Sequence, residues 1–139
     1  ITFKDGKRGD QTLWYENGHK FNEYTYKDGI QIKYTSWYEN GQKESEQTYK
    51  DGKEEKWTEW YKNGHKFSEY TFKDGKVDGL YIRWHENGQK RFEVTYKDGK
   101  LDGLWTRWYE NGQKKWEYTY KDGDVISSKK WNRDGSVKK

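Results

Sequence analysis

The sequence predicts an all-β protein: an elongated repeat array of antiparallel β-hairpins forming a single twisted sheet, about twelve strands in 23–24-residue repeats. Three observations predict it. Trp14, Trp37, Trp60, Trp84, Trp108 and Trp131 recur at spacings of 23, 23, 24, 24 and 23 residues. Each is followed closely by an Asn-Gly or Asp-Gly turn signal (WYENG, WYKNG, WHENG, WNRDG), and a second signal, Lys-Asp-Gly, falls about midway between successive tryptophans. The segments between the turns, such as Leu80–His85 and Gln89–Tyr96, alternate apolar and polar residues at period two and offer no helical stripe.

Every glycine serves a turn or the connector that follows one. Gly18, Gly41, Gly64, Gly88 and Gly112 close the x-Asn-Gly turns, and Gly29, Gly52, Gly75, Gly99 and Gly123 close the Lys-Asp-Gly turns. Gly9, Gly79 and Gly103 lie in the connector before the next Trp. Asn-Gly fits either a two-residue type I′ hairpin or a type I turn ending in a left-handed glycine. The second is preferred, because it pairs Trp84 with Lys90 and Ile82 with Phe92. Leu80, Ile82, Trp84, Phe92, Val94 and Tyr96 then share one apolar face. That choice requires positive φ at Gly88 and not at Asn87. The opposite face is expected to be a solvated one, with Glu at 23, 46, 69, 93 and 117 and Thr two residues after each.

Residues 1–139 read as one array, with repeats at roughly 6–28, 29–51, 52–74, 75–98 and 99–122 and a partial one at 123–139. It opens midway through a unit, which suggests a fragment or processed chain and leans to an extracytoplasmic location. The connectors after Asp74 and Asp98 are one residue longer than the others, so their geometry should differ, with a bulge somewhere to keep the faces in register.

Composition fits a sheet held by rings. Leu, Ile, Val and Phe number only 18 of 139, and there is no Ala, Met, Cys or Pro, yet there are 9 Trp and 13 Tyr. Charge is 37% of residues but nearly balanced, at a net +4. A conventional aliphatic core, a disulfide framework, a cysteine metal site and a membrane-spanning helix are excluded.

At this point the residues carry a resemblance. The unit D-G-L-Y/W-x-x-W-Y/H-E-N-G-Q-K-x-x-x-E-x-T-Y-K-D-G, clearest at Asp78–Gly99 and Asp102–Gly123, resembles the MORN repeat variant of bacterial proteins. The resemblance implies β-hairpin units with a binding or scaffold role. It further implies either an antitoxin or immunity-type protein that occludes a toxin, or a secreted or surface-exposed adhesin or ligand-binding repeat region. The family name adds membrane-surface association.

No catalytic or metal site is expected. His19 and His65 fill a slot that holds Gln elsewhere, and His85 replaces a Tyr, with no second ligand at metal spacing. No cofactor is called for: the glycines serve turns, not phosphates. Arg8-Gly9-Asp10 matches an integrin-binding tripeptide but falls in a repeat connector. Nucleic acid is disfavoured, because nearly every Lys ladder has a Glu ladder beside it. Choline or cell-wall carbohydrate would need an aromatic cage. The expected partner is a protein: a toxin, a host protein or a second copy as a homodimer. The candidate aromatic face comprises Trp57, Tyr81, Trp84, Phe92, Trp105, Trp108, Trp116 and Tyr118. One strand position reads Asn22, Ser45, Ser68, Phe92, Trp116 and the next reads Tyr24, Gln47, Tyr70, Val94, Tyr118, polar early and apolar late. That gradient places docking at the Phe92–Trp116 end.

Overall fold

The computed structural model describes residues 2–139. Its strands follow one another in chain order: β1 (Phe3–Lys4), β2 (Lys7–Arg8), β3 (Gln11–Trp14), β4 (Lys20–Lys27), β5 (Ile30–Trp37), β6 (Lys43–Lys50) and β7 (Lys53–Trp60), then β8 (Lys66–Lys73), β9 (Lys76–Trp84), β10 (Lys90–Lys97), β11 (Lys100–Trp108), β12 (Lys114–Lys121) and β13 (Asp124–Lys130). Strands β3 to β13 form one open antiparallel sheet of eleven, each beside its sequence neighbour. The described residues contain no helix. The expected all-β hairpin array is what the chain builds, with one exception at its start. There β1 and β2 form a separate two-stranded sheet, and in the break before β3 the Asp10 carboxylate accepts the Tyr26 N–H at 2.8 Å.

The two turn types differ in backbone conformation. In every Lys-Asp-Gly turn both Asp and Gly have positive φ, as at Asp28 (52°) and Gly29 (84°), the signature of a type I′ hairpin. Asp tolerates the left-handed region better than most residues. In the x-Asn-Gly turns only Gly is positive: Gly88 has φ 88°, its N–H donates to His85 O at 3.0 Å, and His85 N–H donates to Gln89 O at 2.8 Å. This is the preferred type I turn with a glycine bulge, and Trp84 does pair with Lys90.

The face assignment drawn from that turn is overturned. One residue beyond Lys90 the ladder shifts, so Phe92 pairs with Arg83, Glu93 with Ile82 and Val94 with Tyr81. Arg91 is an extra residue on β10, a bulge that flips the rest of the strand. Phe92, Val94 and Tyr96 therefore lie with Tyr81 and Arg83, whereas Leu80, Ile82 and Trp84 lie on the other side with Glu93. The same bulge follows every x-Asn-Gly turn. It is favoured because it seats Val94, 2% exposed, among rings instead of beside carboxylates.

Both connector types carry a bulge, and they differ as the spacing requires. After Asp28, Asp51 and Asp122 one residue is extra (Ile32, Glu55, Ile126). After Asp74, Tyr70 pairs with Tyr81 and Phe72 with Val77, leaving Asp78, Gly79 and Leu80 opposite Thr71 alone. Gly79 takes φ 87° to make that excursion, and Gly103 takes 90° in the next long connector.

Candidate functional site

The corrected register produces three unbroken rows across all eleven strands. On one face run Gln11, Tyr24, Tyr34, Gln47, Trp57, Tyr70, Tyr81, Val94, Trp105, Tyr118 and Ser128. Beside it on the same face runs Leu13, Asn22, Ser36, Ser45, Glu59, Ser68, Arg83, Phe92, Arg107, Trp116 and Lys130. Between them, on the opposite face, Thr or Ile alternates with Glu from Thr12 to Glu117.

The Glu face is less solvated than expected. Thr35, Thr58 and Thr106 are buried there. The ladder tryptophans cover it: Lys20, Lys43, Lys66, Lys90 and Lys114 each place Nζ 5.3–5.7 Å from the ring of the next repeat's Trp (Trp37, Trp60, Trp84, Trp108, Trp131). The same ammonium groups pair with the Glu three residues on, as Lys66 does with Glu69 at 2.6 Å. Lys56 reaches Glu69 from the neighbouring strand at 3.1 Å. Burial pushes the Glu69 carboxyl up, but its hydrogen bonds to Lys66 and Lys56 and their charges outweigh that, so its pKa lies below the ordinary value. Each cation thus serves two partners and ties one repeat to the next. Trp84 and Trp108 belong to this stitching; they are not on the face that holds the other six candidates.

Those six are brought together. Trp105 meets Trp116 edge-on at 5.1 Å, Trp116 meets Tyr118 at 5.0 Å, Tyr81 meets Phe92 at 5.2 Å, and Trp57 and Tyr81 flank Tyr70 at 5.5 and 5.1 Å. Apart from the tilted Trp57–Tyr70 pair, these rings direct their edges at one another, a favoured geometry for aromatic pairs. A hollow of about 320 Å³ opens among Tyr70, Val77, Tyr81 and Tyr96. Burial raises the Tyr70 hydroxyl to about 12, helped by Glu59, Tyr81 and Glu54 and opposed by Arg83.

Sequence reading missed the strand-one members of the second row, Ser36, Glu59, Arg83 and Arg107, because the wrong register sent them to the outer face. They divide the row by charge. Glu44 and Glu59 lie in its first half, where Ser36 and Ser68 hydroxyls donate to them. Arg83, Arg91 and Arg107 lie in its second half. Equivalent tyrosines sense the change. Tyr38 is raised by burial and then by Glu44 and Glu59, whereas at Tyr61 burial and Glu86 raise the hydroxyl against Arg83 and Arg91, which lower it. Among the described residues none of the three arginines is in an ion pair. The Arg83 guanidinium stacks on Phe67 at 4.3 Å, and its Nε is buried without a partner.

The turn edges are clasped by two further ladders. Tyr15, Tyr38, Tyr61 and Tyr109 donate their hydroxyls to the backbone oxygens of Trp37, Trp60, Trp84 and Trp131. His85 breaks that series, and its Nε2 is buried unpaired. Asn17, Asn40, Asn63, Asn87 and Asn111 accept a backbone N–H within their own turn and donate Nδ2 to the next turn's carbonyl. The last turn has Asp134, which accepts the Ser136 N–H but has no amide to pass on. His19 and His65 donate Nδ1–H to the carbonyls of Glu39 and Glu86, so they are part of this clasp. In the Arg8-Gly9-Asp10 connector the Asp10 carboxylate is taken by Tyr26 N–H and the Arg8 guanidinium lies 5.8 Å over the Tyr26 ring.

No curated protein matches the chain. The family model of the MORN repeat variant matches residues 7–28, 31–51, 56–74, 77–98 and 101–122. These matches take in more than half of the sequence and coincide with the hairpins described above, so the chain belongs to the MORN repeat variant family, a non-catalytic β-hairpin repeat of binding and scaffold modules.

Proposed function

We propose that the array is a protein-interaction module of the antitoxin or immunity type, which engages an acidic surface of its partner through the β9–β12 part of the ringed face. One observation carries this reading: Arg83, Arg91 and Arg107 stand without carboxylate partners around Phe92, Trp105 and Trp116. Arginine beside half-buried aromatic rings is the composition of interface anchors. The edge-to-face ring packing favours a protein surface over choline, since a quaternary ammonium needs ring faces turned toward a common centre.

The test is affinity capture from the native source with four immobilised chains. An identified prey held by the wild type should be lost with Trp116→Ala, Trp105→Ala and raised salt, and kept with Tyr26→Ser. Equal retention by all four folded chains refutes the assignment of the site.

A further inference from the structure

The second row of the ringed face has an internal symmetry that partner recognition alone does not require. β8 is the middle strand of the eleven, and Ser68, 1% exposed, is its member of the row. Counting outward from Ser68, Glu59 on β7 mirrors Arg83 on β9, and Ser45 on β6 mirrors Phe92 on β10. Ser36 on β5 mirrors Arg107 on β11, and Asn22 on β4 mirrors Trp116 on β12. Of the bulged residues, Glu44 before Ser45 mirrors Arg91 before Phe92 with opposite charge, whereas Phe21 before Asn22 mirrors Lys115 before Trp116. From β4 to β7 the row is small or acidic, and from β9 to β12 it is large or basic.

From this we infer that the partner of this face is a second copy of the chain, related by a two-fold axis lying along β8. This rests on the proposed reading of the face as the docking surface and names its occupant. A two-fold parallel to the strands keeps each row opposite itself and exchanges β7 with β9 and β6 with β10. Arg83 then meets Glu59 of the other copy, Arg91 meets Glu44, and Phe92, Arg107 and Trp116 sit over Ser45, Ser36 and Asn22. Such an isologous contact makes every pair twice. In this row Glu59 and Glu44 fall on arginines and Phe92 and Trp116 on smaller groups, while along the neighbouring row rings meet rings, Trp57 over Tyr81 and Tyr34 over Trp105. Aligned sheets cross at about −30°, which concentrates contact near β8, where the Glu59–Arg83 pairs stand. The nine strands β4 to β12 present roughly 1,000 Å² at the usual strand and residue spacings, comparable with the ~800 Å² per partner of a stable interface.

Charge reversal and mixing test this by sedimentation equilibrium. The wild type is expected to dimerise. Glu59→Arg alone and Arg83→Glu alone should each raise the dimer Kd by more than about tenfold, because each sets like charges opposite one another. An equimolar mixture of the two variants should recover dimer: at one contact the two introduced charges face each other as an opposite pair, and at the other the native Arg83 of one chain meets the native Glu59 of its partner. The double variant Glu59→Arg/Arg83→Glu should dimerise by itself. Circular dichroism and melting curves verify that each variant is folded. A wild type that stays monomeric overturns the proposal, as does a dimer that either reversal leaves intact. Weakened single variants that the mixture fails to rescue overturn it too. Glu59→Arg leaves the basic half untouched, so prey lost with Trp116→Ala but kept with Glu59→Arg preserves the proposed function even where dimerisation fails.

Discussion

His85 occupies the one place where the tyrosine clasp is missing, and replacing it by tyrosine should stabilise the array. At the equivalent positions Tyr38 and Tyr61 donate to the next repeat's Trp carbonyl at 2.7 and 2.8 Å. His85 makes no such bond, and its buried Nε2 has no partner. A net hydrogen bond contributes about 0.5–1.5 kcal/mol, and relieving an orphaned buried polar atom about 1–3 kcal/mol. The histidine's smaller ring already occupies part of the site, so a gain of about 2 kcal/mol is expected for His85→Tyr. The matching loss is Tyr61→Phe, which removes only the hydroxyl and should cost about 1 kcal/mol. Urea unfolding followed by tryptophan fluorescence measures both. Because repeat arrays unfold partly by nearest-neighbour units, amide exchange around Trp84 and Trp108 locates the change. Unchanged or lowered stability in His85→Tyr, alongside a destabilised Tyr61→Phe, would refute the role given to the missing clasp.

Asn63→Asp keeps the acceptor for His65 N–H but removes the donor to Glu86 O, and should cost about 1 kcal/mol; Asn63→Ala loses both and should cost more, whereas Asp134→Asn should be near neutral, all by urea titration. Gly79→Ala should destabilise more than Gly103→Ala: both have φ near 90°, but a Cβ at Gly79 would stand 2.9 Å from Thr71 Oγ1 against 3.6 Å from Thr95 Cβ at Gly103, a difference that melting temperatures will show. For Tyr70 the folded pKa, about 12, lies above the ordinary 10.0, so its stabilising contribution is whole below pH 10 and is lost as pH rises toward 12. Urea midpoints should fall across that window, and Tyr70→Phe should flatten the fall.

Much of the fold was legible because turns are local. Two consecutive residues decide whether a hairpin takes Asp and Gly at positive φ or Gly alone, and the chain repeats those pairs at regular spacing. The length difference at Gly79 and Gly103 was legible for the same reason, since a one-residue change must be absorbed within its own connector. The candidate site was half legible. The Asn22–Trp116 and Tyr24–Tyr118 series do share a face, because residues two apart on one strand always do. Their partners on the preceding strands were misplaced, because a bulge such as Arg91 leaves no mark in composition or period.

The sequence by itself determined the hairpin units, the conformation of the x-Asn-Gly turns and the reliance on rings, since each is settled within a dozen residues by backbone preference and alternation. Only the tertiary structure decided which rings share a face, that Trp84 and Trp108 stitch repeats through lysines, and that Glu59 and Arg83 stand in one row on either side of Ser68. Register across a sheet is a competition between burying Val94 among aromatics and keeping a regular ladder. That balance is struck by contacts between strands, not by any segment alone.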